Sequence, residues 1–387
     1  MRIDRIEGYL VRIPLKKEFR FADAPARYSE SVVLRIDGEG ASGWSEVTPG
    51  ASPILTADWS GATYLTLRDC VVPMLAELRA VANAKALDDA FKTIKGNNFA
   101  KAAVETAWQD LDARIKGVPL WKALGAQKKP IKLGLTFDRS VERDEFFKEL
   151  ARAVQEQYAR VTLKLRPGWD VQVVNFSRLD SPSWLQLQVD VEGGLDMELH
   201  ADTLYRMDDF FLNCVEQPLN PRDFVAHAML KGAIRTPLCL DESIQSLEDA
   251  HIAFDLECCG YVCLKPGRVG GLAEARRIAE FAQTNNIGCY AGFDLQSSLG
   301  YRAVAALAAT SNFVLPTDYI RFEETFEYDL VPPLATTLVE EPGDEKKSRP
   351  PRSFRYVELW DEPGLGAEPN LEEASKYVLD KFEFKRA

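Results

Sequence analysis

LQLQVDVEGG (185–194), NCVEQPL (213–219), PLCLDES (237–243) and GYVCLKPGRVGG (260–271) are short β-rich runs, each closed by a charge: Asp190, Glu216, Asp241 and Lys265. Upstream, VTLKL (161–165) carries Lys164 in the same position, and the five charges follow one another at spacings of 26, 26, 25 and 24 residues. Each interval leaves room for one helix between two strands, and strands connected in that way pair in parallel through right-handed crossovers. Working outward, the runs 131–136, 287–292 and 313–318 extend the series, which with 161–165, 185–190, 210–216, 237–241 and 260–265 makes eight. Eight such units predict a (β/α)8 barrel of the TIM type over 126–335. All strands of such a barrel end on one face, where active sites assemble, so the five charges are expected around a single pocket.

Three carboxylates on consecutive strands repel one another in a pocket of reduced dielectric and call for a counter-charge. Asp190, Glu216 and Asp241 are therefore candidate ligands of Mg2+, with Mn2+ as a substitute, because three oxygens with space left for water and substrate suit a hard cation. The competing reading is three ordinary surface acids at strand ends. Lys164 and Lys265 close strands 2 and 6, opposite each other in a ring of eight. Crowding and desolvation are expected to lower their pKa values and make them bases, the alternative being that they merely neutralise the acids. Two bases beside a metal-bound carboxylate point to removal of an α-proton through an enolate. The three histidines, His200, His227 and His251, fall away from strand ends, and no Gly-x-Ser-x-Gly elbow occurs. The glycines of 266–271 read as a tight turn after strand 6.

The chain's 387 residues exceed one barrel. Residues 1–125 read as an α+β capping domain: 1–14 and 31–37 alternate as two antiparallel strands, and Ala103, Ala107, Leu111 and Arg114 form one face of a helix opposite Glu105 and Asp112. The segment 340–353 reads as an exposed loop, and 354–387 is expected to pack back on the capping domain. A net charge of -12 without a basic block argues against nucleic acid, no apolar stretch is long enough for a bilayer span, and Asp4, Arg5 and Glu7 interrupt the apolar core that a signal peptide would need. A cytoplasmic protein is expected, and the seven scattered cysteines read as reduced, buried thiols.

GWSEVTPG (43–50), AVETAWQDLDARIKGVPLWKALG (103–125), LKLRPGWD, VDVEGG, VEQPL, LDES and LKPGRVGG together resemble the enolase superfamily, in its muconate lactonizing enzyme subgroup, over nearly the whole chain. PGWD and KPGRVGG are most similar to o-succinylbenzoate synthases and N-succinylamino acid racemases. The resemblance implies that Lys164, as second lysine of a Lys-x-Lys motif, removes the α-proton. It gives Lys265 the opposite face, makes Asp190, Glu216 and Asp241 the magnesium ligands, and sets Glu242 in support. It further implies syn dehydration of a cyclohexadiene carboxylate to o-succinylbenzoate on the way to menaquinone. N-acylamino acid racemisation, dipeptide epimerisation, muconate cycloisomerisation and a non-catalytic metal-binding barrel are the alternatives. Three departures stand out: Thr162 for the first lysine, Glu192 where Asp-x-Asn is usual, and Gln296 where Glu is frequent. The loop 18–30 is expected to fold over a small-molecule carboxylate, with Arg20, Thr136, Thr162, Gln296 and Ser297 as candidate substrate contacts. A homo-oligomer is also expected.

Overall fold

The structure, a computed structural model, describes residues 1–21, 24–78, 80–137, 142–165, 170–343 and 350–386. The chain opens with an antiparallel meander, β1 (Arg5–Phe21), β2 (Ala24–Gly38) and β3 (Ala41–Val47). Side chains alternate across a strand, and both faces of this sheet are buried. Ile6, Val32, Leu34 and Ile36 pack into a core shared with the helix Asn98–Ile115, whereas Val11, Ile13, Val33 and Trp44 pack into the barrel core. The first two strands run well beyond the predicted segments. Their pairing resumes after a register shift between Pro14 and Phe19, so 18–30 is largely a hairpin rather than a loop.

Gly43 lets β3 approach the helix, since a Cβ there would lie 2.2 Å from the Ala107 carbonyl oxygen. Backbone cannot swing aside as a side chain can. Gly43→Ala should therefore destabilise the protein by about 3 kcal/mol, seen as a lower denaturant midpoint.

The barrel follows as β4 (Ile131–Phe137), β5 (Arg160–Lys164), β6 (Gln186–Asp190), β7 (Cys214–Glu216), β8 (Leu238–Leu240), β9 (Tyr261–Leu264), β10 (Gly288–Ala291) and β11 (Thr317–Tyr319). Neighbours pair in parallel from β4 to β10, and β11 pairs with β4. The ring is completed by a bridge between Cys289 and Phe313. Residues 208–210 form a 3-10 turn ahead of β7, so that strand is shorter than 210–216.

An antiparallel hairpin, β12 (Thr336–Glu341) and β13 (Arg352–Val357), continues the sheet on the outer side of β4. Its tip, 344–349, lies outside the described residues. Of the segment 354–387, assigned from sequence to the capping domain, residues 354–357 belong to this hairpin instead. The later strand β14 (Val378–Lys385) pairs with β1. Among the described residues no helix is long and apolar enough to cross a membrane.

Buried carboxylates of the capping domain sit on the starts of two barrel helices. Glu46 accepts from the Ser297 and Gly300 amides at the start of the helix Ser298–Ala308. Glu105, expected on a polar face, is instead buried and accepts from the Leu272 and Ala273 amides (2.8 and 3.0 Å) that open the helix Leu272–Thr284. Helix N-termini carry unpaired N–H groups and positive potential, which explains a buried acid there.

Burial pushes Glu105 up to about 7 despite these bonds. Between its ordinary value near 4.5 and about 7, the folded state holds a proton that the unfolded state has released. Stability from this group is therefore lost as pH rises through that window. The unfolding free energy of wild type minus that of Glu105→Gln should fall by about 3 kcal/mol between pH 4.5 and 7, measured by urea titration at each pH. A difference that stays constant would show that the carboxyl is not shifted.

Candidate active site

Lys164, Asp190 and Glu216 are direct register partners at the ends of β5, β6 and β7, while Asp241 and Lys265 follow the last residues of β8 and β9. Four of the five line one narrow cavity of about 30 Å³ at the C-terminal end of the barrel; Asp241 does not line it but accepts a hydrogen bond from Lys265, which does. Thr136, Thr162, Glu192, Glu242, Phe293, Asp294 and Asp318 also line it, and Phe19 and Leu55 reach it from the capping domain. A wider cavity of about 340 Å³ adjoins, formed by 24–30, residues around Gly50 and Leu55, and Arg268. The two share Leu55, Asp294 and Leu295.

The lysines are ion-paired. Lys164 Nζ lies 2.8 Å from Asp190 and 2.6 Å from Glu192; Lys265 Nζ lies 2.9 Å from Asp241 and 3.5 Å from Asp294. Burial alone would favour neutral amines, but the partner carboxylates outweigh it and hold both ammonium groups well above the usual lysine value. The expected lowering is thus reversed as long as those carboxylates face the lysines. Glu192 in place of the usual Asn adds a negative charge beside Lys164, and Thr162 in place of a lysine withholds a positive one. Thr162 Oγ1 is buried on the cavity wall without a hydrogen-bond partner among the described residues.

The donor chemistry fits a divalent cation. Burial, then the charges of Asp190 and Asp241, push Glu216 well above the carboxylate range, whereas Arg268 and Lys265 outweigh burial at Asp241 and hold it well below that range. Oxygens of Glu216 and Asp241 and the Cys263 thiol lie within 4.8 Å of one another. Asp190, expected to join them, is engaged by Lys164. Burial followed by the charge of Asp241 pushes Glu242 up to about 8, and its Oε2 has no hydrogen-bond partner among the described residues.

Other candidates are engaged elsewhere. Ser297 caps the helix Ser298–Ala308 and donates to Glu46 at 2.5 Å, and Gln296 accepts from the Asp294 amide at 2.7 Å; neither lines the cavity. Arg20 pairs with Glu18 at 3.2 Å, and it is its neighbour Phe19 that faces the site. Strand alternation decides that exchange. The PGWD motif lies outside the described residues up to Trp169.

Arg268 and Asp318 are among the site residues that escaped the sequence reading. Arg268, within the supposed turn, is buried and contacts Asp241, with Glu242 at 3.7 Å and Asp294 at 3.9 Å. Residues 266–269 form a short helix that aims it inward, and Gly270 and Gly271 take positive φ before the next helix. Asp318 contacts the buried Arg160, whose guanidinium lies 4.5 Å from the Tyr290 ring centre. The signal was present, since Asp318 closes the eighth run as the other charges close theirs.

Matches to family models cover both parts of the chain: residues 10–125 match the mandelate racemase / muconate lactonizing enzyme N-terminal domain, and residues 145–374 match the enolase C-terminal domain-like family. The chain belongs to the enolase superfamily. Among enolase-superfamily relatives, the o-succinylbenzoate synthase of Geobacillus kaustophilus is 33% identical over 84% of this chain and 86% of its own. The N-succinylamino acid racemase of an Amycolatopsis species is 31% identical over 86% of this chain and 90% of its own. A solved superfamily member from Listeria innocua superposes over the full length of both chains with a TM-score of 0.89 at 28% identity. As in the superfamily generally, a capping domain closes a TIM barrel, and the protein is an enzyme.

Proposed function

We propose that this enzyme is an o-succinylbenzoate synthase, dehydrating a succinyl-hydroxycyclohexadiene carboxylate with Mg2+ held by Asp190, Glu216 and Asp241. The observation that carries the reading is the pair of buried lysines lining one cavity from opposite strands, beside Asp190 and Glu216. The bound cation would neutralise the substrate carboxylate and spread the charge of the enolate. Lys164 accepts a proton only when Asp190 and Glu192 no longer hold it as ammonium, so neutralising those acids prepares the base. In a syn elimination the proton it takes leaves again with the hydroxyl on the same face, as water. Lys265 keeps its charge toward the enolate from the other side. Phe19 and Leu55 exclude water, and the adjoining cavity has room for the succinyl arm.

The same pair of amines supports a second reading, racemisation of N-succinylamino acids, in which Lys265 also moves a proton. Wild type with magnesium is to be given the dehydration substrate and, separately, each enantiomer of an N-succinylamino acid. Product absorbance and optical rotation are the readouts. Dehydration is expected; racemisation without dehydration would replace the first reading by the second.

A further inference from the structure

At the other end of the barrel, beneath the starts of β4 to β7, the hairpin of β12 and β13 roofs a cavity of about 570 Å³. That volume is typical of small-molecule sites, and the bottom face of a TIM barrel takes no part in the chemistry. Its walls are aromatic: the Trp184 and Phe354 rings meet edge to face at 5.7 Å, and Phe211 stands at the rim. Phe211 is 85% exposed; its φ of 51° is the left-handed cap that ends the 3-10 turn 208–210.

Glu341 and Lys132 also line the cavity and pair with each other, which leaves the charge of Arg178 and Arg352 in excess. The Arg352 guanidinium lies 4.5 Å from the Trp184 ring centre, and Arg178 donates only to the carbonyls of Ser181, Pro182 and Leu185. Neither has a carboxylate partner among the described residues. Ser181 Oγ and Gln186 Oε1, both on the lining, are buried without hydrogen-bond partners among the described residues.

We propose that this cavity binds a planar aromatic carboxylate bearing a hydroxyl. The two guanidinium groups meet the carboxylate, Trp184, Phe354 and Phe211 hold the ring, and the Gln186 oxygen accepts from the hydroxyl. The proposal is independent of the reaction at the opposite face.

The test uses full-length protein labelled with fluorotryptophan, in saturating magnesium, titrated with hydroxynaphthoate. The Trp184 resonance, assigned by its loss in Trp184→Phe, is followed by fluorine NMR. A saturable shift is expected. Arg352→Gln, which breaks no ion pair among the described residues, should weaken binding about tenfold. Naphthol, lacking the carboxylate, should bind about as weakly, and Phe211→Ala should weaken hydroxynaphthoate too. Asp241→Asn at the active site should leave the shift unchanged. Absence of a saturable shift, unchanged affinity in Arg352→Gln, or a shift abolished by Asp241→Asn would overturn the proposal.

Discussion

Glu216→Gln is expected to lose tight binding of magnesium and about three orders of magnitude in turnover. It removes an anionic oxygen from the middle of the row of acids while keeping its shape, and a bound divalent ion is worth several kcal/mol to the reacting charge. Asp190→Asn and Asp241→Asn should behave alike in calorimetric titration with magnesium and in turnover. Asp318→Asn is the control: it lines the same cavity, but its carboxylate is paired with Arg160, so metal affinity should change by no more than a few-fold. Unchanged magnesium affinity in any of the first three would remove that residue from the ligand set.

Lys164→Ala should abolish dehydration and slow α-deuterium exchange by about four orders of magnitude, near the upper limit for a general base. Lys265→Arg keeps a cation beside the enolate and should retain part of the exchange, although guanidinium cannot reproduce an ammonium's geometry. The outcome differs for a racemase. There each lysine serves one enantiomer, so Lys164→Ala and Lys265→Ala should each stop exchange from one hand and spare some from the other. Incubation of both enantiomers and the dehydration substrate in deuterated water, read by mass, separates the two. Exchange that survives loss of both lysines would eliminate the two-base site.

Much of this site was legible because its logic is periodic. A strand must place its charge at its end to reach the barrel mouth, and one strand-helix unit repeats that placement, so Lys164, Asp190, Glu216, Asp241 and Lys265 could be found by counting. The capping domain's strands and the helix Asn98–Ile115 were likewise visible in hydrophobic alternation, which depends on local geometry. Periodicity failed where a side chain's role depends on a distant segment. Glu105 has the spacing of a solvent-facing acid, and only the docking of a barrel helix start against it makes it a buried acceptor. Ser297 has the sequence position of a substrate contact, yet Glu46, some 250 residues earlier, claims its hydroxyl.

Composition and spacing in the chain thus determined the architecture, the order of charges around the mouth and the class of chemistry they allow. The tertiary structure alone decided which charges neutralise which. Arg268 reaches Asp241 only because residues 266–269 coil into a helical turn, and Lys164 meets Glu192 only because the backbone at Glu192 takes a left-handed turn after β6. The physical reason is that charge pairing falls off with distance through space and is indifferent to separation along the chain. The sign of a pKa shift is therefore set by folded neighbours, as the raised values of both lysines show.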